Sequence, residues 1–194
     1  MNIKGKVTLG LLAVFTMAVQ SCGVKVADAD YPAQKIYLPA AAQSQIYLID
    51  KAEESSGETP TEGAPYRFLI DYDEYTFSVP LSVYRSGVDC RGDVNVDIYM
   101  DDDVVYDLMI SGEIDDDMEI IPSDLMDCME MTVIPDGRSG AMFNVSIDLD
   151  YLMDSRHRGT MLVFGVSIGT ADRELNEACS RLAVIIDTSI FDNI

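Results

Sequence analysis

Apolar and polar residues alternate with a period of two in several stretches of this chain, and the clearest stretch is 76–83. Phe77, Val79, Leu81 and Val83 occupy alternate positions, and Thr, Ser or Pro residues stand between them. This pattern is typical of a β-strand with one buried face and one solvated face. The same alternation recurs at Val94, Val96, Ile98 and Met100, at Met129, Met131 and Val133, at Phe143, Val145 and Ile147, at Leu162, Phe164, Val166 and Ile168, and at Leu182, Val184 and Ile186.

Shorter β-prone segments at 35–38, 45–49 and 66–70 add further predicted strands. Turn signals such as Pro135-Asp136-Gly137 separate the strands at short spacing. Many short strands with recurring turns predict an all-β domain, an antiparallel immunoglobulin-like β-sandwich. Pro80 lies inside the clearest strand. Because proline has no N–H to donate to a ladder, we expect it at a sheet edge or beside a bulge.

The sequence between the strands predicts one to three short helical turns. Residues 101–112 place four apolar side chains on one helical face. Three aspartates at the start of that segment would supply favourable negative charge at a helix N-terminus. Residues 148–154 and 173–178 are the other two candidates.

The first 22 residues have the features of a lipoprotein export signal. Lys4 and Lys6 precede an uncharged run at 7–19, which has the length of a secretory apolar region and is too short to span a bilayer. Val-Gln-Ser-Cys at 19–22 resembles a bacterial lipobox, so Cys22 would receive a diacylglycerol and then an acyl chain such as palmitate. Two or more such chains hold a protein stably on a membrane. The alternative is an ordinary secretory signal with an incidental cysteine.

These patterns divide the chain into four predicted segments. They are a signal peptide at 1–21, the lipidated cysteine and a short tether at 22–33, the β-sandwich at 34–189 and a C-terminal tail at 190–194. We expect an outer-membrane protein anchored through the lipid on Cys22, on the periplasmic or the cell-surface face.

The chain is strongly acidic, with 34 Asp and Glu residues against 13 Lys and Arg and a net charge of −21. Such a surface repels phosphate backbones, so we expect no nucleic-acid partner. It also disfavours anionic lipid headgroups, which leaves the lipid anchor as the predicted membrane contact. Neutral glycans, cations and basic proteins remain as partners.

Three cysteines remain if Cys22 is lipidated, so a monomer can form at most one internal disulfide. Cys90 and Cys128 both flank predicted strands, and they are the first candidate pair. The alternative is that Cys90, Cys128 and Cys179 are three buried or half-buried thiols.

Catalytic chemistry has little support in the sequence, and we expect neither an enzyme nor a bound cofactor. The single histidine, His157, stands between Arg156 and Arg158 on a polar turn and is interpreted as a solvated loop residue. With 34 acids, carboxylate pairs at the spacing of a glycosidase arise by chance.

Calcium is the most specific metal hypothesis. Asp71, Asp73 and Glu74 offer oxygen ligands near a strand end, as does the run at 115–117, and calcium takes 6–8 oxygens. Neither run has EF-hand spacing, and a solvated acidic loop is the alternative. Tyr99 lies on the polar side of its strand and is a candidate for a sugar-binding face, or for a surface tyrosine that covers the sheet.

Several short motifs resemble one family. Tyr31-Pro32 with the 35–40 segment, and the run Pro-Leu-Ser-Val-Tyr-Arg-Ser-Gly at 80–87, resemble a family of Bacteroidetes lipoproteins. Phe-Asn-Val-Ser-Ile-Asp at 143–148 and Val-Ile-Ile-Asp at 184–187 fit its later strands. The family is a domain of unknown function, usually the N-terminal β-sandwich of surface lipoproteins from glycan-utilisation loci.

The resemblance implies an extracytoplasmic sandwich that is often followed by a carbohydrate-binding or glycosidase domain, and it carries over no catalytic residue. It implies a non-catalytic accessory protein that binds glycan or scaffolds a glycan-utilisation complex, with polysaccharide or other lipoproteins of the same locus as partners. The alternative is an adhesin or pilus-type subunit, which predicts a donated or an accepted strand and self-assembly. The apolar C-terminal residues 190–194 are a candidate for such a strand.

Overall fold

The computed structural model describes residues 33–50 and 66–193, and these form two six-stranded β-sheets packed face to face. The predicted all-β sandwich with few helical turns is therefore confirmed. The first sheet contains β1 (Lys35–Tyr37), β3 (Leu69–Asp71), β4 (Thr76–Arg85), β7 (Met126–Cys128), β9 (Gly140–Asp148) and β11 (Glu174–Leu175). The second contains β2 (Ile46–Ile49), β5 (Val94–Met100), β6 (Glu119–Ile120), β8 (Met131–Ile134), β10 (Met161–Gly169) and β12 (Arg181–Asp187).

Two α-helices and five short 3-10 helices connect the described strands. The α-helices are α1 (Asp102–Ser111) and α2 (Leu149–Leu152). The 3-10 helices are Pro39–Ala41, Ser123–Leu125, Ser155–His157, Glu177–Cys179 and Thr188–Asn193. In the described residues, no helix is both long and apolar enough to cross a membrane.

The strand order in the first sheet is β11-β1-β4-β9-β7, and β3 also pairs with β4. The strand order in the second sheet is β2-β12-β10-β5-β8, and β6 also pairs with β10. The long pairs β4–β9, β10–β12 and β10–β5 are antiparallel, as predicted. Three short pairings, β1–β11, β10–β6 and β12–β2, are parallel, which the sequence pattern did not predict.

The alternating apolar positions face a shared core between the sheets. Phe77, Val79, Leu81 and Val83 of β4 are all fully buried, as their period-two spacing predicts. A smaller apolar cluster on the outer face of the second sheet is covered by α1. It contains Val104, Val105, Leu108, Ile114, Val163, Ala183 and Ile185.

Pro80 lies in a strand that has neighbours on both sides, although it was expected at an edge. On one side β4 pairs with β9 along its length. On the other side β3 pairs with residues 76–78 and β1 with residues 84–85, so no described strand pairs with 79–83 there. Pro80 thus occupies a local edge inside a central strand, where a missing N–H costs little.

The prediction for Met129, Met131 and Val133 was wrong, because these side chains point to solvent. Ile134 and Thr132 face the core instead. Directly paired residues of neighbouring strands point to the same side of a sheet. Ile134 and Thr132 pair with the buried residues Val94 and Val96 of β5, and this register fixes the inward face of β8.

The helix predicted at 101–112 is confirmed as α1. Asp101 caps its N-terminus, because a side-chain oxygen accepts a hydrogen bond from the Asp103 N–H, and Gly112 ends it with φ +74°. Arg181 of β12 lies 3.1 Å from Asp101 and 2.7 Å from Asp107. Burial raises the pKa of Asp101, but hydrogen bonds from Arg181 and Ser167 outweigh it and hold that pKa below its usual value.

The other two helical predictions have different outcomes. Residues 148–154 contain α2, capped by Asp148, whose side chain accepts from the Tyr151 N–H. Residues 173–178 do not form a helix: they contribute β11 and the start of the Glu177–Cys179 turn. The parallel pairing of β11 with β1 is a long-range contact that local pattern does not reveal.

Arg85, in the run at 80–87, has a structural role. Its side chain is only 2% exposed, and it donates to the backbone carbonyls of Arg138 at 2.6 Å, Gly92 at 2.8 Å and Pro135 at 2.6 Å, with a longer contact to Arg91 at 3.3 Å. These carbonyls belong to the loops that precede β5 and follow β8. A single guanidinium therefore joins two loops from the end of the longest strand.

The C-terminal residues are part of the fold rather than a donated strand. Thr188–Asn193 forms a 3-10 helix, Ile190 is buried, and the ring of Phe191 packs edge-on against Phe77 at 5.7 Å between centroids. This segment already fills space beside the core. This arrangement does not support these residues as the donated strand of the adhesin alternative.

Candidate functional site

Residues 126–134, here called the switching segment, run from the edge of one sheet to the edge of the other. β7 pairs with Val145–Ile147 of β9 in the first sheet, and β8 pairs with Val94–Asp97 of β5 in the second. Beyond these pairings the neighbouring strands continue without a described partner on that side. The crossing therefore leaves an opening beside the end of β5 and another beside the start of β9.

The opening beside β5 is a solvent-accessible cleft of about 530 Å³. It is called the Tyr99 cleft, and its lining includes Asp97, Tyr99, Met100, Asp127, Met129 and Glu130. Ile98 donates its backbone N–H to Glu130 O at 2.8 Å, where the switching segment reaches β5. Because alternate residues of a strand direct their backbone groups to the same side, those of Met100 point into the opening beyond this bond.

Tyr99 is the aromatic surface of this cleft. Its side chain is 52% exposed, and its ring lies against Gly169 of the adjacent strand β10, where a Cβ would come within 3.1 Å of Cε2. The glycine lets the ring lie close to the sheet, so one aromatic face is supported while the rest stays accessible. Sequence reasoning identified Tyr99 as a binding-face candidate, and the structure places it in a cleft.

Three carboxylates line the Tyr99 cleft together with Tyr99. Asp97, Asp127 and Glu130 line the same cleft, and their side chains make no ion pair or side-chain hydrogen bond within the described residues. Ionised carboxylates are acceptors only, with about four lone-pair sites each. They can therefore accept hydrogen bonds from hydroxyl groups of a ligand that stacks on the ring.

The opening beside β9 is a second cleft, of about 430 Å³, on the other side of the switching segment. It is called the Tyr66 cleft, and its lining includes Tyr66, Asp127, Met129, Met142, Asn144 and Ser146. The Ser146 and Ser78 hydroxyls are 2.9 Å apart and hydrogen-bonded, whereas the Asn144 amide has no side-chain partner in the described part of the chain. Asp127, Cys128 and Met129 line both clefts.

Cys128 lies between the clefts as a neutral thiol. Burial, with a smaller contribution from the charge of Asp127, raises its pKa to about 11. A thiol with such a pKa is almost fully protonated at neutral pH, so it is a poor nucleophile and metal ligand.

The predicted disulfide between Cys90 and Cys128 is not formed. Both are free thiols, as is Cys179, so the alternative of three half-buried thiols is the one observed. The Cys90 carbonyl accepts from the N–H of Gly137, in the turn that precedes β9, whereas Cys128 pairs with Val145 in mid-strand. Cys90 therefore lies near the start of β9, and Cys128 lies beside Val145, five residues further along the strand. Five residues of strand span about 17 Å, which far exceeds the distance between the Cα atoms of a disulfide.

The predicted calcium ligands form a local turn. Asp71 Oδ1 accepts hydrogen bonds from the backbone N–H of Asp73 at 2.9 Å and of Glu74 at 3.0 Å. Asp71 therefore satisfies the backbone of the turn that follows β3, which is a common role for aspartate. Across residues 33–50 and 66–193, no three His, Cys, Asp or Glu side chains are grouped to hold a metal ion. Cys22 lies outside the described residues.

The interpretation of His157 as a solvated loop residue was wrong. Its side chain is 2% exposed, its Nδ1 lies 2.7 Å from Tyr151 O, and its Nε2 lies 3.3 Å from Glu119 Oε1 without hydrogen-bond alignment. The Tyr151 hydroxyl donates to the same Glu119 oxygen at 2.8 Å, and burial followed by that bond raises the pKa of Tyr151 to about 12. The side chains of Arg156 and Arg158 are mostly exposed, whereas the imidazole packs against Tyr151 of α2.

Solved structures share this fold. A candidate carbohydrate binding protein from Bacteroides ovatus matches with a TM-score of 0.54 at 11% identity, over 79% of this chain and 36% of its own length. A two-domain protein of unknown function from Bacteroides fragilis has a TM-score of 0.50 at 11% identity, over 80% and 45%. Bacteroides thetaiotaomicron EndoBT-3987, solved with a Man5GlcNAc product, has a TM-score of 0.50 at 8% identity, over 78% and 30%.

These matches confirm the resemblance to Bacteroidetes proteins at the level of the fold. This chain spans about a third to a half of the length of the three solved proteins. No protein-family model and no curated protein matches the sequence. The chain is thus an all-β sandwich that shares its architecture with parts of larger Bacteroides proteins.

Proposed function

We propose that this protein is a non-catalytic, lipid-anchored accessory protein that binds neutral glycan in a glycan-utilisation system. The Tyr99 cleft is the observation that carries the proposal. It combines an accessible aromatic face with three carboxylates that have no ion-pair partner within the described residues. This chemistry recognises a sugar ring, because the C–H face of the ring stacks on an aromatic side chain and its hydroxyls donate to acceptors. The fold shared with a candidate carbohydrate binding protein supports the same class of ligand.

The negative charge of the protein favours uncharged glycans over acidic ones. Neither cleft has lysine or arginine among the described residues that line it, and the protein carries a net charge of −21. Uronic acids and sulfated sugars would meet Asp97, Asp127 and Glu130 with like charge and no cation to compensate. Uncharged polysaccharide is therefore the preferred ligand.

A panel of soluble polysaccharides in native gels tests the proposal. Residues 22–194 with Cys22 replaced by serine are run in gels that contain starch, galactomannan, xyloglucan, mixed-linkage β-glucan, pectate or alginate. We expect one of the four neutral polymers to retard the protein and the two acidic polymers to leave it unchanged. Retardation by an acidic polymer alone, or by none of the six, would refute neutral-glycan binding.

Anchoring is tested separately from binding. In the full-length protein expressed in a Bacteroides host, lipid on Cys22 is expected to place the protein in the outer-membrane fraction. A Cys22→Ala variant should move to the soluble fraction, while Cys179→Ala, which removes a cysteine within the sandwich, should not. A Cys22→Ala protein that still sediments with membranes would rule out the proposed anchor.

A further inference from the structure

We infer that the ligand is the internal stretch of a linear glycan, which crosses the switching segment and occupies the Tyr66 and Tyr99 clefts together. This inference rests on the proposed function, and it adds the length and form of the ligand. A terminal sugar held in one cleft is the competing arrangement.

The first support is the continuity of the two clefts. They lie on opposite sides of the switching segment, yet Asp127, Cys128 and Met129 line both. Both clefts are open to solvent. A ligand in one cleft would therefore lie next to the other, with the three shared residues between them.

The second support is that each cleft has an aromatic ring beside polar groups. The Tyr99 cleft has an aromatic ring with the Asp97 and Glu130 carboxylates, and the Tyr66 cleft has an aromatic ring with the Asn144 amide. Asp127 lines both. Successive sugars of a linear chain present similar apolar faces and hydroxyl rims, so a ring with polar partners in each cleft fits such a ligand.

The third support is the character of the ridge between the clefts. Met129 is 49% exposed, although an apolar side chain usually turns inward. Methionine is unbranched and flexible, so it adapts to surfaces of varied shape. Met129 lines both clefts, and each cleft contains a tyrosine. Its exposed side chain therefore offers an apolar contact to the sugar that lies between the two tyrosines.

The test measures affinity against chain length. Oligosaccharides from disaccharide to octasaccharide are prepared by partial acid hydrolysis of whichever neutral polysaccharide retards the protein, and they are titrated by calorimetry. We expect affinity to rise by at least about tenfold between the disaccharide and the chains that reach both clefts, since each tenfold corresponds to about 1.4 kcal/mol of added contact.

Variants assign the increase to the second cleft. Asn144→Ala and Tyr66→Ala should each remove most of the gain in affinity for long chains. Tyr72→Ala, which replaces an exposed tyrosine outside both clefts, should leave that gain unchanged. Asn144 is exposed, so its replacement keeps the test valid if Tyr66→Ala impairs folding.

The outcomes separate this inference from the proposed function. If the disaccharide binds as tightly as the octasaccharide, or if Asn144→Ala leaves long-chain binding unchanged, the two-cleft arrangement is wrong while glycan binding stands. If no neutral polysaccharide retards the protein, both are wrong.

Discussion

Replacing Arg85 by methionine is expected to lower the free energy of unfolding by about 4 kcal/mol. The side chain is buried and donates to carbonyls of two loops, at Gly92 and at Pro135 and Arg138. Methionine keeps most of the aliphatic stem but leaves these acceptors without donors. A hydrogen bond to a charged group contributes about 1.5–3 kcal/mol, and several are lost together.

The Arg85→Lys variant distinguishes the effect of the positive charge from the effect of the side-chain geometry. Arg85→Lys keeps the positive charge but not the planar fork that reaches acceptors on different sides, so we expect a loss nearly as large as with methionine. Urea unfolding followed by circular dichroism measures both variants.

Arg91→Met is the matched control for Arg85. Its side chain is 88% exposed and, within the part of the chain that the structure describes, pairs only with Asp89, so its replacement should change stability by less than about 1 kcal/mol. Equal stabilities of the Arg85→Met and Arg91→Met proteins would show that the guanidinium does not hold the two loops.

Replacing Gly165 by alanine is expected to cost about 3 kcal/mol, the upper range for an overpacked core. A Cβ at this position would lie 1.9 Å from Asp101 O and 2.6 Å from Val104 Cγ1. The Asp101 N–H donates to Gly165 O at 2.9 Å, so the start of α1 is held against β10 at this point. The added methyl can be accommodated only by displacing the helix start from the sheet.

Gly169→Ala, in the same strand, is the control for Gly165→Ala. Its added methyl would contact the ring of Tyr99 at 3.1 Å, and an exposed ring can move by a few tenths of an ångström. We expect a loss below about 1 kcal/mol from Gly169→Ala. Thermal unfolding of the two variants compares them, and an equally small loss in Gly165→Ala would mean that the helix start is not tightly held.

The elements that were predicted correctly depend on local sequence. Period-two spacing located β4 and β5, and the acidic start and glycine end of residues 101–112 located α1 nearly to the residue. The inward face of β8 was predicted wrongly because Met129, Met131 and Val133 are apolar at alternate positions, whereas one of the residues that face the core, Thr132, is polar. Pairing with β5 decided that face, and pairing is a long-range property.

The candidate site was only partly predictable for the same reason. Tyr99 stood out because it interrupts the polar side of β5. Its cleft arises where the switching segment leaves one sheet for the other, and this meeting of β5, β7 and β9 has no local signature. Asp127 and Met129 were therefore missed. His157 was misassigned because its arginine neighbours in sequence point away from it.

Comparison of two tyrosine variants tests the central claim most directly. Tyr99 and Tyr106 are 52% and 51% exposed, but only Tyr99 lies in a cleft beside the switching segment. In gels that contain the retarding neutral polysaccharide, Tyr99→Ala is expected to lose most of the retardation, about tenfold in affinity, because the stacking surface is gone. Tyr106→Ala is expected to migrate like the unaltered protein. If Tyr99→Ala is retarded as strongly as Tyr106→Ala, this cleft does not bind glycan.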